Sequence, residues 1–136
     1  MAIMNPVKII TEFLEETLES TAASGDTLHQ RIAMDRTPTE FDNTVTMAQV
    51  QHQSGRPAAA QAPVNEHQIA IKCYGGTNED NDAWAVHERI YGVLHNAIGD
   101  TDAGGIAFCE LNTVSKYYEP DTDWPVVVAI YQVQTV

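Results

Sequence analysis

The chain has 136 residues, enough for one domain built on a single core, and 43% of them are hydrophobic, well clear of the disordered range. Nineteen acids against seven bases give a formal net charge of −12, and the bases are scattered singly, which argues against the basic stripe that a nucleic-acid groove needs. No apolar run approaches the ~20 residues of a membrane span; the first residues lack the parts of a signal peptide, and two cysteines with no C-x-x-C pair point to a reduced, cytoplasmic origin.

Taken in chain order, "NPVKIITEFLEETLES" (5–20) has the spacing of an amphipathic helix, with Val7, Ile10, Leu14 and Leu18 on one stripe and Phe13 beside them. Asn5 is placed to cap it and Pro6 fits the first helical position, while Gly25 supplies a stop. "TLHQRIAM" predicts a strand with Leu28, Ile32 and Met34 on one side; "DRTPTEFDN" breaks it, and "TVTMAQVQHQ" alternates again. Residues 54–65, "SGRPAAAQAPVN", predict a long flexible loop. "EHQIAIKCYG" is the next strand, with Ile69, Ile71 and Cys73 opposite Ala70, Lys72 and Tyr74. A second helix is expected from about Glu79 to Ile98, its inner stripe Ala83, Val86 or His87, Ile90 and Leu94, flanked by Trp84 and Tyr91. After "GDTDAGG" come "GIAFCELNTVSKYYEP", a strand or hairpin arm, and the closing strand "VVVAIYQVQTV". The order α-β-β-β-α-β-β with short connections predicts a single α+β domain, a mainly antiparallel sheet with two helices packed on it.

The chemistry-bearing patterns are sparse. Gly75-Gly76-Thr77 lies between a strand and a helix, where backbone N–H groups can cradle an anion. Yet neither a dinucleotide nor a P-loop motif is present, and Glu79, Asp80 and Asp82 in the first helical turn would repel a phosphate, so the glycines read as a corner. "DTDAGG" opens like a calcium loop but has Leu111 where the bidentate glutamate belongs, and Asp121 and Asp123 sit in another acidic turn; both read as solvated turns. His87-Glu88 starts like a zinc-protease helix, but Tyr91 stands where the second histidine is needed; His87, Tyr91 and His95 read as a packing or interface stripe. Cys73 and Cys109 alternate as small core hydrophobes. No set of acid, base and electrophilic stabiliser assembles, so neither an enzyme nor a cofactor is expected.

The strand ending "CYGGT", the helix "NEDNDAWAVHERIYGVLHNAI" and the closing "DWPVVVAIYQVQTV" together resemble the tail terminator (tail completion) proteins of long-tailed bacteriophages, chiefly over residues 69–136. Tyr74, Gly75, Ala83, Ile90, Leu94, Pro125 and the run from Tyr131 to Val133 carry the likeness. The resemblance implies a virion protein, made in the host cytoplasm, that forms a homo-hexameric ring. Such a ring caps the tail tube, ends its polymerisation and offers a face to the head. Its implied partners are the major tail tube protein and a head-completion or connector protein, with DNA passing through the lumen without tight binding and no membrane involved. On this reading Arg56, Pro57 and Pro63 in the loop reach a neighbour or the tube, although the segment reads equally as a solvated loop. Glu12, Glu15, Glu16, Glu19, Glu79, Asp80 and Asp82 form the pool from which a phosphate-repelling lumen would be drawn. Other readings are a different neck ring protein (head-closure or head-tail joining), a generic interaction domain, and a small cytoplasmic enzyme using Cys73 or His87.

Overall fold

The computed structural model describes residues 5–22, 28–34, 46–57, 65–75, 80–118 and 125–135. Helix α1 (Pro6–Ser20) begins as its sequence dictates: the Asn5 side chain accepts the N–H groups of Val7 and Lys8, and Pro6 occupies the first position, where a missing N–H costs nothing. The predicted stripe is buried, and Ile9 and Thr11 join it, so α1 is sunk deeper than a surface helix. The stop at Gly25 falls outside the described residues; α1 ends on Thr21.

A 3-10 turn (Leu28–Gln30) precedes strand β1 (Ile32–Met34), so the long strand expected here is short and only begins at Ile32. Strands β2 (Met47–Pro57) and β3 (Asn65–Tyr74) form an antiparallel hairpin. Its ladder runs out to Pro57 opposite Asn65, so Ser54 to Pro57, placed in the loop by the sequence, lie in a strand; 58–64 are outside the described residues. Helix α2 (Asp80–Leu94) follows and ends in His95 and Asn96, the latter with φ 62 in the left-handed region that asparagine tolerates. The helix expected to run to Ile98 thus stops at Leu94, and strand β4 (Gly99–Thr101) and the long β5 (Gly104–Tyr118) make a tight hairpin around the turn that the sequence placed here. Strand β6 (Pro125–Thr135) closes the chain.

The fold class is α+β: two helices on a six-stranded sheet of order β1-β2-β3-β6-β5-β4, antiparallel except for the β1–β2 pair. A parallel pair needs a connection of a dozen or more residues, which accounts for the length of the break between them. The closing valine-rich strand thus sits in the middle, paired on both sides. Both helices cover one face, where Ile9, Ile10, Leu14, Leu18, Ile90 and Leu94 meet Val50, Ile69, Ile71, Val127, Ala129 and Tyr131. Each fully buried aliphatic side chain contributes about 1.5–3 kcal/mol of hydrophobic stabilisation. Arg89 of α2 donates to the Leu18 carbonyl and the Thr21 hydroxyl, tying the two helices at the C-terminal end of α1, where a cation is favourable.

Candidate assembly surfaces

The two edges of the sheet are chemically unlike. At one, β1 leaves a groove of about 460 Å³ against α1, lined by Lys8, Thr11, Glu12, Glu15, Ile32, Ala33 and Met34. The Thr11 hydroxyl is buried there with no hydrogen-bond partner among the described residues, and Met34 is 44% exposed. Glu12 and Glu15 outnumber Lys8 along the groove, and partial burial, then the neighbouring Glu12 and Glu16, raise the pKa of Glu15.

At the other edge, β4 pairs only with Gly104 to Ile106 of β5. The end of α2 then takes over: Asn96 donates its N–H to the Cys109 carbonyl at 2.7 Å, and Leu111 donates its N–H to His95 Nδ1 at 3.2 Å. Past that, at 112–115, β5 has no described neighbour on the side away from β6. Edges left in this state invite another strand.

The sheet face away from the helices also divides. Met47, Tyr74 and Val126 form a small apolar cluster with Ala33, Tyr117 and Val128, made of strand residues alone. Gln49 borders this cluster and accepts from the Tyr74 hydroxyl at 3.3 Å, and toward the other end of the same face lie Gln68, Gln132, Gln134 and Glu66, with Gln132 donating to Glu66.

The residues singled out from the sequence are dispersed. Glu15, Glu16 and Glu19 are exposed on α1, whereas Glu12 is half-buried and accepts the Ala103 N–H at 2.9 Å, bracing the β4–β5 turn. Asp82 is half-buried and lines one shallow groove with Arg89, Asp80 is the first residue of α2, and Glu79 falls outside the described residues. Arg56 and Pro57 pair with Glu66 and Asn65 at the end of β2; Pro63 is outside the described residues. The Gly75 N–H donates to the Pro125 carbonyl at 3.2 Å, joining β3 to β6, so it is committed to the corner; Gly76 and Thr77 are outside the described residues, as are Asp121 and Asp123. "DTDAGG" is the β4–β5 turn, with Thr101 donating to the Gly104 carbonyl at 2.9 Å.

The α2 stripe is a ladder of rings: Trp84 on His87, His87 on Tyr91 and Tyr91 stacked on His95 at 4.7 Å. Burial lowers the His87 pKa, and His95 Nδ1 accepts the Leu111 N–H, which ties the end of α2 to β5. Burial raises the pKa of Cys73 strongly and that of Cys109 to about 12, which leaves neither thiol ionised at neutral pH. The enzyme reading built on Cys73 and His87 loses its nucleophile on these grounds.

Sequence reasoning passed over one arrangement. His52 and His67 flank a bulge between His52 and Ser54, and His52 Nε2 lies 3.1 Å from His67 Nδ1. The available signal was a His-Gln pair on each side of the hairpin, His52-Gln53 and His67-Gln68.

No protein-family model and no curated protein matches the chain. Among solved structures it is similar to a protein in the virion of the native gene transfer agent particle, with a TM-score of 0.69 and 10% identity over 96% of this chain and 97% of that one. At that identity the likeness establishes a shared fold along nearly the whole of both chains.

Proposed function

We propose that the chain is a structural component of a phage-like virion, and within it a tail terminator: a ring, hexameric as in the family it resembles, that caps the tail tube, ends its polymerisation and joins tail to head. The observation that carries this reading is the end-to-end fold likeness to a virion protein, with neither chain having a large unmatched part. The two sheet edges support it. A ring needs heterologous contacts, one patch meeting a different patch on the next copy, and the acidic β1 groove and the bare stretch of β5 are two such unlike patches. The hairpin tip beyond Arg56 and Pro57, including Pro63, is the segment proposed to reach a neighbour or the tube.

The major tail tube protein and a head-completion or connector protein are the proposed partners. DNA would pass through the lumen without being held. The exposed Glu16 and Glu19 on α1 are the members of the acidic pool proposed to repel phosphates there, joined by Glu79, Asp80 and Asp82 if the start of α2 also faces inward, whereas Glu15 lines the β1 groove. Glu12 serves the fold through Ala103 and contributes less.

Light scattering on the purified chain, with and without tail tube protein, tests the assignment. A species of about six times the 15.0 kDa chain, alone or on tubes, supports it. Assembly on a head connector but never on tubes would move the role to another neck ring. A chain that stays monomeric with both would refute the ring.

A further inference from the structure

We propose that His52 and His67 form a chelating site for one borderline divalent transition cation of the copper, nickel and zinc class, a site that goes beyond the assembly role. Two nitrogens each held about 2.0–2.1 Å from a single cation stand about 2.9 Å apart at a right angle and about 3.3 Å apart at the tetrahedral angle. The observed separation of 3.1 Å between His52 Nε2 and His67 Nδ1 falls inside that interval. The rings meet edge-on, with centroids 5.2 Å apart and planes at 66°, so they are not stacked and their nitrogens face each other.

The backbone explains the approach. His52 pairs with Ile69, and the register then slips so that Ser54 faces Gln68 and Gly55 faces His67. The residue directly across from His67 is therefore a glycine, with no side chain to compete with His52, which lies just before the register shift. Both strands are locked in the sheet, β3 from both sides, so the pair is preorganised before any ion arrives.

The chemistry of the donors fits. His52 is exposed, which gives an ion access. Neutral imidazole suits copper, nickel and zinc, with copper favoured by the general affinity order. Among the described residues no group of three or more such ligands gathers, so water completes the coordination sphere. The hydrogen-bonded pair shares one hydrogen, and which ring donates it depends on the tautomers. With His52 as its donor, chelation needs only the exposed ring to change tautomer: Nε2 releases the hydrogen to water and Nδ1 takes one back, with no net proton released. The bound ion would then pin the two arms of the β2–β3 hairpin below its tip.

The test is a titration of the full, chelator-washed chain with Cu²⁺, followed by calorimetry and by electron paramagnetic resonance. One equivalent per chain with two coordinated nitrogens is expected. His52→Gln and His67→Gln should each weaken that equivalent at least tenfold, while His29→Gln leaves it unchanged. Circular dichroism must show each variant folded; should His67→Gln unfold, the exposed His52→Gln alone decides. Equal uptake by wild type and His52→Gln, or no uptake by wild type at equimolar Cu²⁺, would overturn the site.

Discussion

The two faces of the sheet obey different rules. On the helix-covered face the central residues of β3 and β6 are apolar and almost fully buried: Ile69, Ile71 and Cys73 against Tyr131, Ala129 and Val127. On the opposite face the same strands present Gln68, Ala70 and Lys72 to Gln132, Ile130 and Val128, a mixture that no described helix covers. The first face contributes the stability of the subunit. The second, with the two edges, is the surface on which the proposed ring would draw for its contacts.

The contrast breaks most easily at neighbouring positions of β3. Ile71→Ala should destabilise the chain by about 2–5 kcal/mol, and Lys72→Ala, one residue on but facing the other way, by under about 0.5 kcal/mol. Denaturant melts of the two variants measure it, and equal losses would mean that the faces are not distinct. A smaller effect follows from Asn5→Ala, which removes the acceptor for two helical N–H groups and should cost about 1 kcal/mol in the same assay.

Acidity sharpens the comparison on the helix side. His87 is packed between Trp84 and Tyr91 with its pKa lowered by burial, so the unfolded chain binds the proton more readily than the folded one. That contribution is complete above the unfolded value near 6.5 and is lost as pH falls from there toward the lower folded value. The melting temperature should therefore fall between pH 7 and pH 5.5, and fall less in His87→Phe.

The smallest effect on folding is expected at the β1 edge. Met34→Lys, at an exposed residue, should change stability by under about 0.5 kcal/mol, yet a lysine on an edge blocks strand-to-strand contact, and ring formation on tail tubes should be lost. Sedimentation with tubes reads the difference.

The helix-covered face was largely legible in the sequence because its periods are regular: Val7, Ile10, Leu14 and Leu18 at helical spacing, and Ile69, Ile71 and Cys73 at strand spacing. Strand β5 was harder. Its inward residues Ile106, Cys109, Leu111 and Val114 are separated alternately by three and two positions, because register shifts between Ile106 and Phe108 and between Leu111 and Thr113 each reset the phase. Strand β4 has three residues, too few to show a period, and nothing local marks β1 as parallel to β2. The candidate surfaces were less legible still. A groove such as that beside Met34 arises from where two elements end, and the approach of His52 to His67 depends on a bulge that no composition signals.

The most direct test of the assignment is tail length. Particles assembled with the chain withheld should carry tubes that grow past the normal length and lack heads, and adding the purified chain back should restore a uniform length in electron micrographs. Tubes of normal, uniform length in its absence would contradict a terminator.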